Sequence, residues 1–144
     1  MPPQTQLLFR RNVLAAILAL LGVSAVWSMP RLMGAEPLAP TVRLVIDFGD
    51  GMEMHFTALA WREGMTALDA LSAAKAHRRG IGFSHHGSGA NAMVTKIGDV
   101  KNEGAGKNWI YYVNAKQAEM SAGACKIKPG ETVLWKFEEY NYNQ

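Results

Sequence analysis

Apolar and polar residues alternate with a period of two through TVRLVIDFGDGMEMHFTAL, residues 41–59. The alternation puts Val42, Leu44, Ile46 and Phe48 on one face of a first strand and Met52, Met54, Phe56 and Ala58 on one face of a second. Between them, Gly49-Asp50-Gly51 accepts the positive backbone angles that a tight hairpin requires. In GMTALDALSAAKAHRR the period lengthens to about 3.6, with Leu68, Leu71 and Ala74 or Lys75 at helical spacing. Thr66 can cap this helix, and Asp69 completes a capping box. Lys75, Arg78 and Arg79 gather at its end, where cations suit the helix dipole, and Gly80 and Gly82 close it.

From Ile81 to Gly106 the pattern weakens to Gly and polar residues around one short strand, AMVTKIGDV. Alternation then returns. Trp109, Tyr111 and Val113 interleave with Ile110, Tyr112 and Asn114; after the turn KPGE, Val133, Trp135 and Phe137 interleave with Leu134, Lys136 and Glu138. The order strand, strand, helix, strand, strand, strand describes an α+β fold of the β-grasp type, a mixed sheet packed on one helix. Trp109, Tyr111 and Trp135 are expected to fill the space beneath the helix, with Tyr112 on the open face.

The segment before Thr41 has a different character. In LLFRRNVLAAILALLGVSAVWSMP, Arg10 and Arg11 precede an uncharged run from Asn12 to Pro30, and no acidic residue occurs before Glu36. About seventeen helical residues reach about 26 Å, close to the hydrocarbon thickness. The run also suits the apolar region of a cleaved export signal, but its length and Trp27, an interfacial residue type, favour retention. Residues 1–29 are therefore expected to be a signal-anchor or transmembrane helix. Pro30, Pro37 and Pro40 make residues 30–40 an extended tether, and the folded domain occupies 41–144. Positive charge ahead of the run places the protein in the bacterial inner membrane as a single-pass chain with its domain on the periplasmic side. The alternative is export after cleavage.

Composition narrows the function. The 144 residues leave room for one domain and an appendage, and the net charge of +3 is spread along the chain. Without a basic stripe interleaved with aromatics, a nucleic-acid partner is not expected. The single cysteine, Cys125, excludes a disulfide within the chain.

FSHHGSGAN, residues 83–91, is the stretch richest in candidate chemistry. His85 and His86 are adjacent, so on a strand they point to opposite faces, and His55 and His77 lie elsewhere. No metal site is expected, because one needs three or four converging groups. Ser84 and Ser88 do not sit in a Gly-x-Ser-x-Gly elbow, and no paired carboxylates stand out, so no catalytic residues are assigned. The candidate ligand-binding residues are Tyr112 and Asn114, as an exposed shelf, with His85 and His86 on the Gly-rich loop that rims it.

The run GKNWIYYVNAKQAEMSAGACKIKPGETVLWKF, preceded by VRLVIDFGDG and GMTALDAL, resembles the transcobalamin-like C-terminal domains. These are bacterial β-grasp domains related to the C-terminal domain of transcobalamin and intrinsic factor. The resemblance covers Thr41 to Phe137 and implies the same fold. It also implies cobalamin as a ligand, which in transcobalamin is enclosed together with a large helical domain; this chain has no length for such a domain, and its own residues point to no cofactor. The expected function is a membrane-tethered, extracytoplasmic, non-catalytic module that binds a small ligand or a protein partner. The alternative is a structural accessory subunit of a larger membrane complex, with no small-molecule ligand.

Overall fold

Strands β1 (Thr41–Asp47) and β2 (Glu53–Ala60) form the expected hairpin in the computed structural model, which describes residues 38–140. The turn is held by Asp side chains. Asp47 Oδ1 accepts from the Gly49 N–H at 2.8 Å and Asp50 Oδ1 from the Met52 N–H at 2.9 Å. Gly49 and Gly51 take the positive φ values of 70° and 94°. One expectation for β2 needs correcting. Val42 pairs with Leu59 but Leu44 with Phe56, so β2 carries an extra residue in a bulge. The bulge turns Leu59 into the core in place of Ala58, which is exposed, and Met52 stays outside in the turn.

Helix α1 (Ala67–Ala76) begins at the predicted cap. Thr66 Oγ1 accepts from the Asp69 N–H at 3.2 Å, and Asp69 Oδ2 accepts from the Thr66 N–H at 2.9 Å. Its buried face is Ala67, Ala70, Leu71 and Ala74, with Leu68 half-buried. Alanines at these positions let the helix lie close on the sheet, against Val42, Leu44 and Ile46 of β1.

The chain then departs from the single strand expected between Ile81 and Gly106. It forms a three-stranded antiparallel sheet of β3 (Phe83–His86), β4 (Met93–Ile97) and β5 (Val100–Lys101), with a 3-10 turn at Gly89–Asn91. Strands of four and two residues, mostly exposed, are too short to show alternation. The segment read as a Gly-rich loop thus holds a strand, and His85 and His86 lie on it.

Strands β6 (Lys107–Val113), β7 (Lys116–Gln117) and β8 (Thr132–Glu139) complete a second sheet ordered β2-β1-β8-β6-β7. Only β1 and β8 run parallel, so the sheet is mixed, as in a small α+β domain. Trp109, Tyr111, Val133, Trp135 and Phe137 all face the core that the helix covers. The expected N-terminal span lies outside the described residues. Among those residues no helix is long and apolar enough to cross a membrane.

The β6–β7 hairpin turns through Asn114 at φ 49° and Ala115 at φ 66°. Left-handed backbone costs an alanine roughly 1 to 2 kcal/mol, whereas glycine adopts it freely. Ala115→Gly should therefore raise stability by about 0.5 to 1 kcal/mol once the greater unfolded-state entropy of glycine is subtracted. A higher urea midpoint with an unchanged slope is the expected result; a lower midpoint would show that the turn is unstrained.

Candidate functional site

No ladder of backbone bonds joins the two sheets; apart from the Glu103 N–H donating to Lys107 O at 2.9 Å, side chains do. The Asn102 amide reaches both ways, its Nδ2 donating to Val94 O of β4 at 2.9 Å and its Oδ1 accepting from the Trp109 N–H of β6 at 2.9 Å. Trp109 Nε1 donates to Val100 O at 3.0 Å. Elsewhere along the junction, Ser121 Oγ lies 2.6 Å from Ala92 O and 2.9 Å from Gly89 O.

Where the sheets diverge they leave an open cleft of about 880 Å³. Val94 and Met93 of β4, Trp109 and Tyr111 of β6 and Trp135 of β8 line the space. Its rim carries Lys96, Lys101, Asn108 and Gln117. The aromatic residues are fixed by packing: Tyr111 stacks on Trp135 with centroids 5.0 Å apart, and Trp109 meets Phe48 edge-on at 5.6 Å and Phe137 at 5.3 Å. Tyr111 also donates to Met120 O at 2.6 Å. Burial, reinforced by Cys125, pushes its phenol well above the usual range, so the hydroxyl remains a donor. A cleft of this size with aromatic walls and a few polar groups suits a small organic ligand.

The four candidate residues do not converge on this cleft. His86 lines it. His85 is exposed, stacks on Phe83 at 5.8 Å, and has Nδ1 at 3.1 Å from Gly87 O, where the ring nitrogen must donate. Asn114 serves its turn, Oδ1 accepting from the Thr132 N–H at 3.0 Å and Nδ2 donating to Glu131 at 3.2 Å.

Tyr112 belongs to the face of the larger sheet turned away from the helix. There it lines a separate hollow of about 720 Å³ with Lys107, Leu134 and Lys136. Its hydroxyl donates to Glu138, which also binds Lys136 Nζ at 2.8 Å. Burial first, then the Glu138 carboxylate, raise the Tyr112 pKa to about 12, and Glu138 likewise raises that of Lys136. The phenol therefore stays protonated and spent on Glu138, not offered as a free shelf.

Sequence reasoning missed Lys96, Lys101, Asn102, Asn108 and Ser121. Their signal is weak because they lie on short strands and loops, brought together by the divergence of two sheets. Trp109 and Tyr111 were legible as core residues, and they are at once core and cleft wall. Among the described residues, no group of three or more His, Cys, Asp or Glu side chains could hold a metal ion.

A family model described as "Domain of unknown function (DUF4430)" matches residues 64–139. No curated protein matches the chain. Among solved structures, the fold is similar to that of a protein from Ruminococcus gnavus ATCC 29149 described as a "putative metal binding protein". The two are 12% identical; the match covers 71% of this chain and 99% of that one, with a TM-score of 0.56. At that identity the likeness shows fold alone.

Proposed function

The chain belongs to the DUF4430 family, and we propose that it is a non-catalytic module whose domain takes a small ligand in the cleft between its sheets. The observation that carries this reading is the cleft itself, with its walls of Trp109, Tyr111 and Trp135. Rigid aromatic surface already in place needs no costly ordering on binding. We read the larger sheet as a β-grasp. Its order β2-β1-β8-β6-β7, with α1 after the first hairpin and β8 parallel to β1, supports that reading. The three-stranded sheet is then an insertion that supplies the second wall.

The fold also supports a relation to the transcobalamin-like domains, which makes cobalamin one ligand worth titrating. The two arginines and uncharged run near the N-terminus support tethering to the bacterial inner membrane, with the domain on the extracytoplasmic side. The family description assigns no activity, and the titratable side chains form no nucleophile, base and orienting group in the cleft.

The test is purification of the full chain in mild detergent, followed by mass spectrometry of whatever denaturation releases. A small molecule should be released, and Ala118→Trp, which fills the cleft with an indole, should lose it. Protein partners with no small molecule would instead favour the structural accessory subunit.

A further inference from the structure

The cleft has uncompensated charge. The side chains of unambiguous charge that line it are Lys96 and Lys101, and no Asp or Glu lines it. Lys96 lies 3.5 Å from Asp99, whose carboxylate projects into solvent and is not part of the lining. Lys101 is exposed, and no carboxylate of the described residues pairs with it.

Most hydrogen-bonding groups of the lining are already engaged within the protein. The amides of Asn102 and Asn108 are engaged at both ends, their oxygens accepting from the N–H groups of Trp109 and Gly104 and their nitrogens donating to the carbonyls of Val94, Gly104 and Gly106. The hydroxyls of Ser121, Thr95 and Tyr111 donate to backbone carbonyls. One buried donor is left over: Trp135, 2% exposed and lining the cleft, has its Nε1–H without a partner. Buried donors in native proteins nearly always find an acceptor, so an orphan calls for one. His86 and Gln117 can donate or accept and by themselves select no ligand chemistry.

We propose that the cleft takes a small organic anion, a flat apolar body bearing a carboxylate, sulfonate or phosphate group. This rests on the cleft being the ligand site. The apolar body lies against the aromatic wall, and Lys101, aided by Lys96, meets the anionic group. An acceptor atom drawn to the buried end of the cleft satisfies the indole N–H. Two unlike observations, unopposed ammonium charge and an orphan donor, thus select one ligand chemistry.

The test compares two probes of nearly one shape, naphthalene-2-carboxylate and its neutral carboxamide. Each is titrated into the full chain while the indole N–H resonances are followed. The carboxylate should bind roughly tenfold more tightly, the range of a charge-assisted hydrogen bond. Lys101→Met should abolish that preference and Lys101→Arg preserve it. The preference should also shrink in Trp135→Phe, which keeps an aromatic ring but removes the donor. Equal affinity for the two probes would overturn the anion assignment while leaving the cleft reading intact. Binding of both probes undiminished by Ala118→Trp, or binding of neither, would overturn the cleft reading and this inference together.

Discussion

Replacing Trp135 with Ala is expected to remove about 3 to 5 kcal/mol of stability, the range for emptying a large aromatic site in a packed core. Trp135 lies on β8, between β1 and β6, pairing with Ile46 on one side and Tyr111 on the other. Its ring is 2% exposed and stacked on Tyr111. The neighbours belong to three strands of one sheet and cannot collapse into the space without breaking ladders. Trp109→Ala should cost a similar amount, since the ring also anchors Val100 through its indole N–H. Single domains hold only about 5 to 15 kcal/mol in reserve, so either variant should be close to unfolding at 37 °C. Denaturant titration measures the loss. Unchanged midpoints in both variants would mean that these rings serve a ligand and contribute nothing to the core.

The second large effect is expected at a glycine. Gly49 has φ 70°, and a Cβ built there would lie 2.3 Å from the backbone oxygen of Phe137. Gly49→Ala therefore meets two penalties: the left-handed backbone, and a clash with main chain that no side-chain rotation relieves. Together they should cost about 2 to 5 kcal/mol. Gly51 separates the two. Its φ is 94°, but nothing lies within 4 Å of its Cβ position, so Gly51→Ala should cost only the conformational part, about 1 to 2 kcal/mol. Equal melting temperatures for the two variants would show that the approach of the hairpin to β8 is not tight.

What could be read in the sequence follows the reach of each physical signal. The capping box at Thr66 and Asp69, the glycines of the first hairpin and the Pro129-Gly130 turn are local, and each stands where the chain predicts. Gly130 has φ 82°, and the Glu131 N–H donates to Lys128 O at 3.2 Å. Seven- and eight-residue strands buried on one face carry a period, so β6 and β8 were legible too. The bulge in β2 was not, because Ala58 and Leu59 are both apolar and only pairing with Val42 decides which turns inward. The cleft was least legible of all. Lys101 sits on a two-residue strand and Asn102 just beyond it, and their roles follow from the position of β6, which no local pattern specifies. Tyr112 and Asn114 stand out in the sequence as an exposed strand position and a turn position, and the structure gives their side chains partners in Glu138, Glu131 and Thr132, pairings across 17 to 26 residues that no local pattern carries.

The joint between the sheets sets how the domain can come apart. Each sheet is closed within its own ladder, and hydrogen bonds made by Asn102, Glu103, Trp109 and Ser121 tie the two together. A few such bonds, at about 1 kcal/mol each, are a far weaker tie than a shared ladder. What holds the three-stranded sheet in place is instead the core: Val94 and Ile97 are buried in one cluster with Leu71, Trp109 and Trp135, so residues 83–101 cannot leave without exposing it, and their amides should exchange with those of the larger sheet. A cleft framed by one shared core keeps its shape before a ligand arrives, so its mouth sets an upper bound on what can enter.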